Sequence, residues 1–245
     1  PEGDDDRILE AAASIVQRRA ARLTLLGDPT RIAARASVLG LDLADATLLA
    51  TSTQPMHERY AQEYARLRGH KGVTLDMARD RLLDGAYFGT MMVLMGDADG
   101  MVSGANHTTA HTIRPALEVV KTLPDVSVVS SVFFMCLADR VLVYGDCAVN
   151  PEPTAEQLAD IALSSATTAR QFGITPRVAM LSYSTGASGV GADVEKVRTA
   201  TELVRARDRR LPVEGPIQYD AAIDPEVAAA KLSGSPVAGQ ATVFI

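Results

Sequence analysis

Tryptophan is absent from this chain of 245 residues, and aromatic residues make up only 4% of it. The core is therefore expected to be built from Ala, Val, Leu, Ile and Met. Cysteine occurs only at Cys136 and Cys147, so we expect no disulfide framework and a reducing, cytoplasmic location. No signal peptide is expected, and the longest apolar stretch, SVVSSVFFMCLA, is too short to span a bilayer.

Positive charge is also scarce, with 24 Lys and Arg against 30 Asp and Glu and a net charge of -6. No basic stripe is present, so nucleic acid is not an expected partner. An acidic protein that binds an anionic ligand must use a few well-placed cations and backbone amides. Isolated Arg side chains beside glycine-containing segments are therefore the first candidates for a binding site.

Short apolar runs alternate with helical patterns along the whole chain, which is typical of mainly parallel sheets covered by helices on both faces. The predicted helices are 7–21, 31–39, 54–68, 74–84, 86–96, 115–122, 151–173, 194–209 and one ending at 228–232; the predicted strands are 22–27, 45–50, 100–105, 126–136, 139–146, 177–184, 213–220 and 241–245. The Leu123-Pro124 pair interrupts a helix. It predicts a boundary between an incomplete α/β domain at 1–122 and a second at 123–245.

The stretch DADGMVSGANHTTAHTIRP, residues 97–115, concentrates polar side chains between apolar flanks. His107 and His111 have the i, i+4 spacing of a zinc helix, but HTTAH lacks the Glu that acts as general base in H-E-x-x-H. DADG resembles the start of a calcium loop, but no Glu closes that loop. Helix capping and polar packing are therefore preferred over a metal site.

An anion site is the alternative for the same stretch. Ser103-Gly104 at the end of the predicted strand would leave free backbone amides at the start of a polar segment. Thr108, Thr109 and Thr112 offer hydroxyl donors, and Arg114 offers a fork suited to phosphate. A helix start with an exposed Arg explains the same residues, and the sequence alone leaves both readings open.

Two further segments carry anion-binding residue types. In RVAMLSYSTGASGVGADVEKV, glycines allow close backbone approach and nearby side chains add hydroxyls, although a flexible loop fits the segment equally well. The glycines are Gly186, Gly189 and Gly191, and the hydroxyls belong to Ser182, Ser184, Thr185 and Ser188. RLRGHKG places four basic residues on a turn after a polar helix, where a solvated helix end is the simpler explanation: Arg66, Arg68, His70 and Lys71.

Five long strings, in order along nearly the whole chain, resemble the phosphate acetyltransferase (phosphotransacetylase) family: GDADGMVSGANHTTAHTIRPALEVVKT, YGDCAVNPEPTAEQLADIALSSA, PRVAMLSYST, EGPIQYDAAIDP and GSPVAGQATVFI. The resemblance implies the reaction acetyl-CoA + phosphate ⇌ acetyl phosphate + CoA. It also implies two three-layer α/β/α domains with mainly parallel sheets and an interdomain cleft, similar to isocitrate dehydrogenase, in a homodimer. Coenzyme A is then a substrate, and neither a cofactor nor a metal is expected.

The resemblance also assigns candidate substrate-binding residues. Arg68 matches the family's Arg in R-x-H-K-G and Arg114 its Arg in T-I-R-P, and both contact CoA in the family. Thr112 corresponds to the Thr near the phosphate pocket, and Ser184 lies in the loop that borders the cleft. Phosphate butyryltransferase, and the acetyl-CoA-binding regulatory module of a hybrid malic enzyme, are the alternatives.

The family pattern continues beyond VFI into PDLN and then N-D-L-S-R-G with a following Asp, which supply the Ser, Arg and base of the reaction. These motifs, and the strand before PEG, do not occur in this sequence. The expectation is a chain truncated at both ends and by itself inactive, with no catalytic residue assigned. Asp97 and Asp99 could act as the base, but a role in the turn is preferred for both.

Overall fold

The computed structural model describes residues 1–124 and 126–245. The chain divides into two compact units, Pro1–Lys121 and Thr122–Ile245, and each unit has its own sheet. The boundary expected from the sequence, between 122 and 123, concerns independently folding domains and stays a prediction. Asp125, which that prediction places in the second domain, lies outside the described residues.

In the first unit, two short parallel strands lie between two groups of helices. The elements are α1 (Asp6–Gln17), β1 (Thr24–Leu26), α2 (Pro29–Val38), β2 (Thr47–Leu49), α3 (Met56–Arg68), α4 (Leu75–Arg81), α5 (Gly85–Leu94) and α6 (Thr109–Val119). Leu25 packs with α1 and α2, whereas Leu26 packs with helices α3 to α6. The alternation of strand side chains thus covers both faces of the small sheet.

Helix α5 forms the centre of the first unit. Its residues 86 to 92 are all buried, as expected for a helix that is apolar on every side. Asp84 caps it by accepting a hydrogen bond from the Ala86 amide at 2.8 Å. Tyr60 of α3 packs edge-on against Phe88 with ring centroids 5.0 Å apart. The chain has few aromatic residues, but several of them pack in the core around α5.

Two predictions for the first unit are wrong. Residues 100–105 form no strand, because the segment 104–106 gives its amides to a side chain, not to a neighbouring strand. Helix α6 begins at Thr109, six residues before the predicted start, and contains Pro115. The prediction placed Pro115 in the first turn, where a missing N–H costs least, but Thr108 is the residue that caps this helix.

The second unit is built on a five-stranded sheet in the order β3-β4-β7-β5-β6. Its elements are β3 (Val132–Cys136), β4 (Val141–Gly145), α7 (Ala155–Gln171), β5 (Val178–Leu181), α8 (Ala192–Arg207), β6 (Val213–Ile217), α9 (Tyr219–Ile223), α10 (Pro225–Lys231) and β7 (Val243–Phe244). Among the described strands, β3 and β4 pair antiparallel, and the other pairings in this sheet are parallel. The helix α9 was not predicted.

Helices cover both faces of this sheet. Val143 and Val178 pack with α7 and α8 on one face. Leu142 and Ala179, the neighbours of those residues along β4 and β5, pack with α9 on the other face. The predicted class, α/β with mainly parallel sheets, is therefore confirmed. The isocitrate dehydrogenase-like arrangement and the interdomain cleft stay predictions.

Candidate functional site

A buried carboxylate organises the segment between α5 and α6. The side chain of Glu2 has 0% exposure. Its oxygens accept hydrogen bonds from the amides of Gly104, Ala105 and Asn106, each at 3.0 Å, and Nδ1 of His107 lies 2.6 Å from Oε1. The prediction that these amides are free to bind an anion is therefore wrong, because they already bind one that belongs to the chain.

The pKa of Glu2 reflects these contacts. Burial raises the pKa, but the hydrogen bonds from Asn106, Ala105, His107 and Gly104 outweigh it and lower the pKa to about 2. The carboxyl group is thus ionised at neutral pH. It fixes the backbone of a segment that leads directly into α6.

Helix α6 carries two of the predicted site residues. Thr108 caps the helix by accepting a hydrogen bond from the His111 amide at 3.2 Å, so this hydroxyl is occupied. The hydroxyl of Thr112 is buried and has no hydrogen-bond partner among the described residues. Gly104, with a φ of 108°, faces it so closely that a Cβ there would lie 3.6 Å from Oγ1. Thr112 therefore keeps an unused donor beside the organised segment.

A polar cavity of about 270 Å³ adjoins α6 and is lined by Asp80, Arg81, Asp84, Tyr87, His111 and Arg114. Arg114 is exposed, and no carboxylate in the described parts of the chain forms an ion pair with it. Burial, followed by the charge of Glu118, raises the pKa of Tyr87, whereas the nearby Arg114 lowers it. An unpaired guanidinium at a polar cavity can receive an anionic ligand.

A partly buried polar network joins two residues that line this cavity, Arg81 and Tyr87, to Tyr64 and Glu118. Glu118 accepts a hydrogen bond of 2.5 Å from the Tyr64 hydroxyl and a longer one of 3.4 Å from Tyr87. Arg81 donates to the Tyr64 hydroxyl at 3.2 Å and lies over the Tyr87 ring, 5.4 Å from its centroid. Arg81 is therefore engaged by two tyrosines and by Glu118, whereas Arg114 has no ion-pair partner in the part of the chain that the structure describes.

The histidines serve the local structure. The rings of His107 and His111 stack with centroids 4.6 Å apart. His111 Nε2 lies 2.9 Å from Asp84 Oδ2 but without hydrogen-bond geometry. Among residues 1–124 and 126–245, no group of three or more His, Cys, Asp or Glu side chains is arranged to hold a metal ion. That the protein needs no metal nevertheless stays a prediction.

Arg68 ends helix α3 in the first unit. It is half-buried, and its Nε is buried without a hydrogen-bond partner in the described residues. A purely solvated helix end would expose this nitrogen to water, so the simpler explanation from the sequence fits less well. Asp97, in contrast, has partners at one of its oxygens, since Oδ2 forms an ion pair with Arg59 and accepts a 2.6 Å hydrogen bond from Tyr60.

Ser184 belongs to the second unit and follows β5. It is 4% exposed, and its hydroxyl lies 3.0 Å from that of Ser188 in the same loop. A Cβ at Gly189 would come within 2.6 Å of Ser184 Oγ, so the loop closes tightly around this side chain. Its predicted role in substrate binding stays a prediction.

The loop lies where a parallel sheet commonly binds ligands. β5 and β6 are neighbours, yet the chain leaves β5 for α8 on one face and leaves β6 for α9 on the other. Crevices form outside the carboxyl ends of such strand pairs. Thr185 and Gln218 meet there, with the Thr185 hydroxyl donating to Gln218 Oε1 at 3.1 Å.

Comparison with known proteins shows the family of this chain. The family model described as phosphate acetyl/butaryl transferase matches residues 1–245. The chain belongs to this family. Its sequence is 62% identical, over 247 aligned residues, to a phosphate acetyltransferase of Synechocystis sp., covering 100% of this chain and 35% of the relative. A phosphate acetyltransferase of Corynebacterium glutamicum is 56% identical, with 100% and 74% covered.

A solved relative has the same fold. A phosphotransacetylase from Streptococcus pyogenes superposes with a TM-score of 0.93 at 42% identity, covering 100% of this chain and 75% of that one. Against the Synechocystis relative, the chain spans about a third of the curated length. None of the helices in 1–124 and 126–245 combines the length and the hydrophobicity needed to cross a membrane.

Proposed function

We propose that the protein containing this chain is a phosphate acetyltransferase, which interconverts acetyl-CoA and phosphate with acetyl phosphate and CoA. In the forward direction a phosphate oxygen attacks the acetyl carbonyl carbon, the C–O bond forms, the C–S bond breaks, and the thiolate of CoA takes up a proton. CoA and phosphate are the small-molecule substrates, and the proposal includes no bound cofactor.

The observation that carries this proposal is the pair of unused groups on α6. Thr112 has a buried hydroxyl without a hydrogen-bond partner among the described residues, and Arg114, two residues later, is exposed beside a polar cavity. Because residues two apart in a helix do not share a face, the hydroxyl and the guanidinium would contact different parts of the substrates, each with a donor suited to an anionic group. Acyl transfer also requires donors for the developing oxyanion.

We assign CoA binding to Arg68 and Arg114, phosphate binding to Thr112, and a position at the edge of the substrate site to Ser184. Arg68 supports this with its buried, unpartnered Nε. A homodimer in the cytoplasm, acting in acetate metabolism, completes the proposal. Size-exclusion chromatography with light scattering measures the oligomeric state, and a monomer at micromolar concentration would contradict it.

Acetyl rather than butyryl transfer is proposed because the curated relatives from Synechocystis sp. and Corynebacterium glutamicum are both named phosphate acetyltransferase. A regulatory module without activity, as in a hybrid malic enzyme, gains no support from any contact described above. A hydrophobic acyl pocket would distinguish chain lengths by about 1–3 kcal/mol for each methylene group, and butyryl has two more of these groups than acetyl. Acetyl-CoA should therefore be preferred by at least about 30-fold in kcat/KM.

The test uses the protein made from its complete gene. Thiol release from acetyl-CoA is followed with a thiol-reactive dye, with and without phosphate, and repeated with butyryl-CoA. We expect release that depends on phosphate and is faster with acetyl-CoA. Release that does not need phosphate indicates a thioesterase, and equal rates for both acyl groups contradict the acetyl specificity.

A further inference from the structure

We propose that Glu2 is a positioning residue for the acetyl-transfer reaction: through the amides of residues 104–106 it fixes the segment from which α6 presents Thr112 and Arg114. The inference rests on the proposed function. Glu2 itself does not touch the substrate in this account, and its carboxylate acts only through the backbone that it holds.

Glu2 and the amides of residues 104–106 have the geometry of an anion-binding site in which the bound anion is a side chain of the protein itself. Three consecutive amides, from Gly104 to Asn106, converge on the two carboxylate oxygens at 3.0 Å each. The side chain of Glu2 is fully buried, and Nδ1 of His107 adds a fourth contact at 2.6 Å. Successive amides that converge in this way form a concave anion-binding nest.

Glu2 is itself held in a strained conformation. Its backbone φ is 67°, a left-handed value that non-glycine residues adopt only where surrounding contacts impose it. Those contacts are backbone hydrogen bonds at 3.0 Å, from the Gly3 amide to the Leu26 carbonyl and from the Asp5 amide to the Glu2 carbonyl. The carboxylate is thereby aimed inward and anchored to β1.

The nest lies immediately before the helix that carries the binding residues. Thr108 caps α6 directly after the held segment. Gly104, one of the three donors, also faces the Thr112 hydroxyl. Arg7 donates to the Ala105 carbonyl at 2.5 Å, so the segment is held from α1 as well. Releasing the carboxylate should therefore displace both the cap of α6 and the wall beside Thr112.

Glu2→Gln is the direct test, because the amide keeps the size of the side chain but turns an NH₂ group toward the converging N–H donors. We expect kcat to fall by about 10- to 100-fold, as for a misplacement of about 1 Å at a reacting centre, together with a rise in KM for phosphate. Glu2→Asp keeps the charge and should recover part of kcat. Glu10→Gln, an exposed carboxylate on α1, is the matched control and should behave as the parent.

Amide hydrogen exchange supplies a readout that does not depend on activity. In the parent, the amides of residues 104–106 should be protected, and in Glu2→Gln they should exchange at least about 10-fold faster. If Glu2→Gln fails to fold, Glu2→Asp and the protection measured in the parent still test the proposal, and unprotected amides in the parent overturn it.

The outcomes separate this inference from the function on which it rests. A folded Glu2→Gln enzyme with a lower melting temperature but unchanged kcat and KM well below that temperature shows a merely structural role and overturns the positioning role alone. A parent enzyme without phosphate-dependent thiol release overturns the proposed function, and the positioning role for that reaction with it.

Discussion

At the residue scale, the site depends on which polar groups are already satisfied. Glu2 occupies three amides, and Thr108 caps α6. Thr112 and Arg114 remain available. The sequence suggested Thr112 and Arg114 as candidates but not Glu2, because the Glu2 contacts join residues 102 to 105 positions apart and no local pattern indicates such a pairing. The segment PEGDDD reads only as a turn before a helix.

Part of the loss of folding stability in acid should come from the carboxyl group of Glu2. Its folded pKa of about 2 lies below the ordinary value of 4.5, so its contribution is fully present above pH 4.5 and is lost as the pH falls through about 2. The difference in unfolding free energy between the parent and Glu2→Gln should therefore be largest at neutral pH and shrink below pH 4.5. Urea unfolding at several pH values measures it. A difference that does not vary with pH would show that the carboxylate is not held as described.

Arg114→Ala should weaken CoA binding in the complete enzyme. Losing one charge-assisted contact costs about 1.5–3 kcal/mol, or about 10- to 150-fold in affinity. KM for CoA should rise by this factor and KM for acetyl phosphate by less, and Arg114→Lys should recover part of the loss because it restores charge without the fork. Arg68→Ala should act in the same direction.

Arg22→Ala is the matched control for both substitutions, because Arg22 is exposed and forms no ion pair with the described residues. Its KM values should equal those of the parent. If folded Arg114→Ala and Arg68→Ala enzymes also bind CoA as the parent does, these side chains do not contribute to CoA binding.

At the element scale, periodicity located most helices and strands, because burial follows the same period that the sequence displays. The helix predicted at 151–173 is α7, which begins with a capping box formed by Thr154 and Gln157. The predicted strand at 100–105 and the predicted start of α6 failed for the same reason. Hydrogen bonds to the side chains of Glu2 and Thr108 set the structure there, and hydrophobic periodicity does not report such bonds. Helix α9 was missed because its five residues are too short for a periodic signal.

The capping box of α7 yields a prediction at this scale. Thr154 Oγ1 accepts from the Gln157 amide at 3.3 Å, and the Gln157 side chain accepts from the Thr154 amide at 2.9 Å. Thr154→Ala should lower the unfolding free energy by about 1 kcal/mol, as measured by urea denaturation. Thr167→Ala, an exposed position within the same helix, should change it by less than about 0.5 kcal/mol. Equal effects at the two positions would show that the cap contributes nothing.

At the scale of the whole molecule, each unit has its own cores. The clusters around Phe88 and around Leu9 belong to the first unit, and those around Val178 and Ile217 belong to the second. A boundary at Leu123-Pro124 could be predicted from the sequence, because this helix-breaking pair separates two runs of alternating helices and strands. The spatial relation of two cores is not visible in any linear pattern.

Phe88→Ala tests the separate cores. Phe88 has 0% exposure, and truncating a buried Phe costs about 3–5 kcal/mol. Amide exchange in α3 and α5 should accelerate by the factor that corresponds to this loss of free energy. The rate of exchange in α7 should stay within about two-fold of the parent. Acceleration of equal size in α7 would show that the two units unfold as one.

The contact between Glu2 and the 104–106 segment also has a consequence for the order of events in folding. Its acceptor precedes α1, and its donors follow α5, at a separation of 102 positions for the first pair. Pairings so distant along the chain form late, because the entropy of closing the intervening loop must first be overcome. During synthesis the carboxylate must wait until the whole of β1 to α5 has been made. We therefore expect the 104–106 segment to be among the last parts of the first unit to take its final shape, because it can do so only on a folded scaffold.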